Sequence, residues 1–394
     1  MTKIVEVFAF GQYLYFLDEI RLKRLLILSF GILRSKTVNI SLVNDEIPLD
    51  QSGRKSSQSQ YNYLLGVFQT GNVQGAIRQI FNLLVVLFYS SEKELKILID
   101  RTNWEIGARK VNILSIGLLY RDKTYIPLLN EDLGYKGNSS AQTRINLMDQ
   151  FLDWWKVLQI PIPQFIIVGD REFIGEKWLK ELSCRGVQYV IRLKANLKFE
   201  TWLNGGYKIG KKFGVKTLHR YLQRYNKQSV EVVLAGQTIA QIYVLENEGK
   251  LALKEPFLYL ITNIDDLDRT GDIYRQRWRI ETCFSHLKSK GLNLESLNLE
   301  GQHKTDILMA VLALVYSLII YQGQEAQIEQ PPKTIKYKNG KEYHRVSIFR
   351  QGLKELAKII SFEQFLEFIH QLFSEIYYKW LFMKQIHLMN LFRQ

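Results

Sequence analysis

The chain has 394 residues, enough for two or three domains and a sizeable core, with 46% hydrophobic and 23% charged residues as in ordinary globular proteins. Lys and Arg outnumber Asp and Glu by 53 to 39, and a net charge of +14 favours a polyanionic partner, nucleic acid before an anionic membrane. The two cysteines, Cys184 and Cys283, stand far apart in no ligand-like spacing, which argues against a zinc cluster and for a reduced cytoplasmic setting.

Residues 1–94 read as helical, with apolar residues three and four apart in YFLDEIRLKRLLILSFGIL and GAIRQIFNLLVVLF. The Ser-rich stretch between them, LDQSGRKSSQSQ (Leu49–Gln60), reads as a loop. The first residues, MTKIVEVFAFGQ, lack the basic leader and small-residue cleavage site of a secreted protein. This region is a possible DNA-end-binding module, although no helix-turn-helix spacing marks it.

At Leu95 the pattern changes. KILID (Lys96–Asp100) is an apolar run ending in an acid, followed by NILSIGLLY and TYIPLL as a strand pair joined by Arg121–Lys123. The helical stretch Ala141–Leu158 precedes a second apolar run ending in an acid, PQFIIVGD (Pro163–Asp170). A helix (GEKWLKELSCRG) and a strand (YVIRL) complete the series, which implies one mixed sheet flanked by helices. From Lys194 to about Leu267 the letters suggest strands and turns, a β-rich insertion. The remainder reads as helical except for the basic Pro/Gly loop Gln330–Arg345. Its longest apolar run, Ile307–Tyr321, is shorter than the roughly 20 residues of a membrane span and is expected to be a core helix.

Asp100 and Asp170 each close an apolar strand, where carboxyl ends present side chains to a crevice. Two such acids on neighbouring strands suit a divalent ion, magnesium or manganese, while the plainer reading makes each a cap for the loop that follows. Ile273–Gly291, IYRQRWRIETCFSHLKSKG, holds Glu281 among Arg275, Arg277, Arg279, Lys288 and Lys290. On a single helix, with Tyr274 at zero, Arg277, Glu281 and Lys288 fall near about 300°, 340° and 320°. Ile273, Ile280, Phe284 and Leu287 form an apolar stripe beside them, able to pack on the sheet and bring Glu281 to the aspartates. The cations suit phosphates; the alternative is a basic solvated helix with an incidental acid.

The spacing Tyr274-x2-Arg277-x3-Glu281-x6-Lys288 resembles the signature of bacterial insertion-sequence transposases with a DDE triad, of the insertion sequence four type. IDRTNW (Ile99–Trp104) and VGDREF (Val168–Phe173) are similar to that group's two aspartate blocks, and YVIRLK and SIFRQGL (Ser347–Leu353) also resemble it. The resemblance implies a ribonuclease H-like mixed sheet with a β-rich insertion between helical N- and C-terminal regions. It divides the chain into residues 1–94, a core of 95–193 with 268–325, the insertion 194–267, and 326–394. It implies that Asp100, Asp170 and Glu281 are catalytic and hold magnesium or manganese, two ions together. Tyr274, Arg275, Arg277 and Lys288 would contact double-stranded DNA, both the terminal inverted repeats and the target, and Trp104 could stack on an unpaired base or simply pack in the core. It further implies a homodimer on paired ends, in bacterial cytoplasm, with no membrane partner.

Two other basic stretches suit DNA: Thr201–Val230, whose seven cations and no acid are interleaved with Trp202, Tyr207, Phe213, Tyr221 and Tyr225, and the cluster Lys333, Lys336, Lys338, Lys341 and Arg345. The rival readings are an inactive or repurposed transposase that only binds DNA, and a ribonuclease H-like nuclease that cuts without joining.

Overall fold

The computed structural model describes residues 19–69, 73–106, 109–202, 207–234, 238–247, 255–299, 301–336 and 342–391. The N-terminal part is helical, with α1 (Glu19–Ser35), α2 (Ile40–Asp45), α3 (Leu49–Ser52), α4 (Ser57–Leu65) and α5 (Val73–Phe88). The Ser-rich stretch expected as a loop therefore contains helix. Ser56 explains it, because its hydroxyl accepts the Ser59 N–H at 3.2 Å and caps α4. The last turns of α5 are apolar on every side, and they are buried on every side.

Strands β1 (Glu94–Ile106), β2 (Arg109–Tyr120) and β3 (Thr124–Asp132) form an antiparallel meander. Arg121 and Asp122, both at positive φ, make the tight turn between β2 and β3. Helix α6 (Ala141–Val157) leads to β4 (Gln164–Gly169), and α7 (Glu176–Cys184) to β5 (Gln188–Arg192). β4 pairs in parallel with both β1 and β5, and their apolar runs are buried on both faces.

The excursion that follows holds β6 (Lys198–Trp202), β7 (Tyr207–Gly214), α8 (Val215–Arg224), β8 (Ser229–Leu234), β9 (Thr238–Glu246) and β10 (Phe257–Thr262). The strand-and-turn expectation missed α8, whose apolar Val215, Leu218 and Leu222 recur at helical spacing and are buried. β10 returns antiparallel to β5, and all these strands join one ten-stranded sheet, ordered β3-β2-β1-β4-β5-β10-β9-β8-β6-β7 among the described residues.

Helices α9 (Thr270–Arg275) and α10 (Trp278–Leu287) then cross back over the sheet, α9 against β4 and β5, α10 against β1 and β3. Helix α11 (Gln302–Glu329) packs on β3, α5 and α1. It is the one described helix long and apolar enough to cross a membrane, yet 83% of its most apolar window is buried inside the fold, as a core helix requires. The basic loop after it contains a small hairpin, β11 (Thr334–Lys336) with β12 (Glu342–His344), before α12 (Ile348–Leu356) and α13 (Phe362–Leu391).

Helices α11 and α12 touch backbone to backbone through Gly323 and Gly352. A Cβ on Gly352 would lie 1.8 Å from the Ile319 carbonyl oxygen, and one on Gly323 2.1 Å from that of Ile348. This contact gives the glycine of the SIFRQGL block a physical reason. Gly352→Ala is expected to push the helices apart and destabilise the protein by roughly 3 kcal/mol, readable as a lower denaturant midpoint.

Candidate active site

The register of β1 with β4 sets the first two acids. Their last parallel pair is Ile99 with Gly169, so Asp100 and Asp170 follow side by side, at the carboxyl ends of the paired segments. β1 does not stop at Asp100 as the apolar run suggested. It continues six residues further, paired with β2 alone, because β2 is long enough to go on supplying partners. Alternation along this extension sends Asp100, Thr102 and Trp104 to one face and Arg101 and Asn103 to the other.

Glu281 arrives on α10. The stretch expected as one helix is two, joined through Gln276 and Arg277, which keep right-handed φ/ψ angles. The join is tightened by Arg277 N–H to Tyr274 O (2.9 Å) and Ile280 N–H to Arg277 O (3.1 Å), i→i−3 bonds of the 3₁₀ kind. Lys288 lies just past the end of α10 instead of within it. The apolar stripe is buried as expected at Ile273, Ile280, Phe284 and Leu287, and Cys283 joins it.

Arg277 is the hub of the site. Its Nη1 donates to Asp100 Oδ2 at 2.9 Å, and its Nη2 to Glu281 Oε1 at 2.5 Å. The Tyr274 hydroxyl donates to Asp170 Oδ1 at 3.2 Å, and Arg192 Nη1 lies 3.7 Å from the same oxygen. Arg192 is ion-paired with Glu255, which also meets Arg171 at 3.4 Å. On the other face of β1, Arg101 grips both oxygens of Glu172 at 3.1 Å, tying the first acid's strand to the loop behind the second.

Burial pushes the Asp100 carboxyl up to about 6, against the opposing pull of Arg277 and the Arg101 N–H. Burial and the adjacent Asp170 push the Tyr274 hydroxyl up to about 12. Burial opposes the charge on Arg277, but Tyr274, Asp100 and Glu281 around it hold its pKa above the usual value. Three carboxylates are hard oxygen donors of the kind magnesium and manganese prefer, and a carboxyl raised by burial gains most from a nearby cation. In donor chemistry the set fits a divalent ion. Among the described residues no three acidic, His or Cys side chains close around a single point, and the Arg277 guanidinium bridges Asp100 and Glu281.

Residues 92–318, more than half of the chain, match the family model for the transposase DDE domain. The chain belongs to that family. All three acids fall inside the matched DDE domain, as do Tyr274, Arg277 and Lys288. No curated protein matches the chain.

The other expected contacts of the transposase domain are placed as follows. Lys288 Nζ donates to the Asn103 carbonyl at 2.8 Å and lies 5.7 Å from the Trp104 ring centre. Arg275 pairs with Asp272 at 2.9 Å. In place of an open stacking face, Trp104 is 2% exposed and meets Phe284 edge-on, since its side of β1 is covered by α10. The exposed aromatic at the site is Trp278, 62% exposed. It lines a hollow of about 400 Å³ with Tyr274, Arg192 and Leu245. On the wheel used above Trp278 sits at about 40°, away from the apolar stripe, a signal that was present in the letters. Arg101, Glu172 and Arg192 were also missed, although each belongs to a quoted motif block. In the second basic cluster, Lys333, Lys336 and Arg345 are exposed, while Lys338 and Lys341 lie outside the described residues, as do the side chains of Trp202 and Tyr207.

His286 helps seat α10 from behind, stacked on Phe349 at 4.1 Å, and burial lowers its pKa from 6.5 to about 4. Between those values the unfolded chain takes up a proton that the folded chain refuses. The contribution of His286 is therefore complete above pH 6.5 and is lost as the pH drops toward 4, by about 2 kcal/mol down to pH 5. Relative to the parent, His286→Phe is expected to shift the stability difference between pH 7 and pH 5 by about 2 kcal/mol in favour of pH 5, read from paired denaturant melts.

Proposed function

We propose that this chain is a DNA transposase of the insertion sequence four type, cleaving the ends of an element and joining them to target DNA. The observation that carries the reading is the Arg277 bridge, which gathers Asp100 and Glu281 beside an Asp170 tethered by Tyr274. The order β3-β2-β1-β4-β5, with β4 parallel to both neighbours, supports a ribonuclease H-like core. On this reading, residues 95–193 and 268–325 form the core, 194–267 the insertion, and 1–94 and 326–394 the helical flanks. Two protomers act on paired ends.

Domains of this family generally use divalent metal ions. Asp100, Asp170 and Glu281 would hold magnesium or manganese here, which when bound lowers the pKa of the attacking hydroxyl and neutralises the leaving oxygen. The chain's own groups do the positioning. Arg277 holds two of the acids while the site is idle, and phosphate oxygens offer its planar fork an equivalent partner. Tyr274 keeps Asp170 in place by its hydroxyl, which stays protonated because burial raises its pKa. Lys288 and Arg275 add positive charge along the bound strand. No Ser, Cys or Tyr is needed as a nucleophile.

The test is nicking of a supercoiled plasmid that carries the gene with its natural flanks. Magnesium-dependent nicking is expected, lost with EDTA and reduced on the order of 10³-fold in Asp170→Ala. Joined product in a second plasmid is expected from the same reaction. Nicking without joining would identify a nuclease, and binding without nicking a repurposed transposase; either outcome overturns the proposal.

A further inference from the structure

We infer that α8 is a phosphate-binding ridge for duplex DNA, separate from the acid site and linked to it by a basic hollow. The helix buries Val215, Leu218, His219 and Leu222, and its opposite side exposes Lys216, Arg220 and Arg224. These three follow one another four residues apart, so they form a single row on the helix surface. At 1.5 Å per residue the row is about 12 Å long, which is the reach of three to four phosphates along one DNA strand.

Stability does not account for this row. Like charges at i,i+4 weaken a helix by some tenths of a kcal/mol per pair. Some exposed cations elsewhere have an acid beside them, as in Lys110 with Glu105 at 3.2 Å and Arg275 with Asp272 at 2.9 Å. Lys216, Arg220 and Arg224 have no carboxylate partner among the described residues, and the sequence from Thr201 to Val230 contains no acid. Three unmatched charges held in line are a feature that a polyanion would use.

The row also leads somewhere. Lys216 lines a hollow of about 540 Å³ together with Arg171, Arg192 and Lys194. Arg192 borders Asp170, so a strand leaving the acids meets positive charge continuously up to α8. The Glu255 carboxylate in that hollow is already taken by Arg171 and Arg192.

The nearby aromatics favour backbone contact over base stacking. Tyr221 and Tyr225 pack on each other at 4.7 Å, with Lys227 over the first ring at 5.7 Å and Arg224 over the second at 5.8 Å. Rings used in this way leave the ridge reading charge and spacing without sequence, which suits a duplex. That the polyanion is DNA rests on the transposase reading above.

The experiment measures binding of a labelled duplex of arbitrary sequence, about 30 base pairs long, by fluorescence anisotropy between 50 and 200 mM salt. The combined variant Lys216→Gln, Arg220→Gln, Arg224→Gln is expected to lower the slope of log K against log salt by about 2.7, at about 0.9 per phosphate contact. Arg220→Gln alone should lower it by about 0.9. Lys216→Arg, Arg220→Lys, Arg224→Lys should keep the parental slope, which separates charge from damage to the helix. An unchanged slope in the combined variant, with the parental melting temperature, overturns the ridge. So does a loss of binding to anionic phosphatidylglycerol vesicles with duplex binding intact. A reduced slope in a protein that nicks no plasmid leaves the ridge standing and removes the transposase reading; nicking with an unchanged slope does the reverse.

Discussion

Carboxylates brought together in a half-buried crevice repel one another and lose hydration, so they stay charged only if positive charge is placed among them. In this chain the placement is made by Arg277. The parallel register of β1 and β4 puts two acids next to each other, and the tightened join between α9 and α10 carries the guanidinium and the third acid to them. Each of these elements has its own support, from the Arg101–Glu172 fork on one face of β1 to the Phe284 and Trp104 contact on the other. Arg269 fastens the start of α9 to Glu94, at the head of β1, at 2.6 Å. The site is thus held at both ends of the strand that carries its first acid.

Much of this arrangement was visible in the letters because it depends on short-range spacing. Apolar runs ending in Asp100 and Asp170 marked the strands, and the stripe Ile273, Ile280, Phe284, Leu287 marked the face of α10 that meets the sheet. What escaped was decided by partners distant in sequence. β1 runs past Asp100 because β2 offers it a pairing edge, a fact no window around Asp100 contains. The break between α9 and α10 replaces i→i−4 bonds by i→i−3 bonds without a Gly or Pro to announce it. Trp278 stands off the apolar stripe on the helical wheel, but nothing near Trp104 in sequence shows that α10 covers it, a fact settled by the packing of α10 on β1. Ser56 and the Ser-rich run around it looked like a loop because the same residues that favour turns also cap helices.

The positive charge of the chain has two distinct uses in the fold. Inside the site, Arg277, Arg192 and Arg101 are each paired with acids and serve to build the crevice. On α8, Lys216, Arg220 and Arg224 stand without such partners among the described residues. Net charge alone could not distinguish these roles, since paired and unpaired guanidinium groups add equally to the total.

The antiparallel pairing of β5 with β10 has an architectural consequence. Leu260 lies opposite Arg192, and the Leu193 N–H reaches the Tyr259 carbonyl at 2.8 Å, so the chain leaves the core and comes back at the same place. Topologically the whole stretch from β6 to β9 is the enlarged turn of one hairpin. Material can be added to or trimmed from such a turn at a modest entropic cost that grows only with the logarithm of its length. A change in the length of this excursion would alter the surface it presents while leaving the β5–β10 pairing at its base in place.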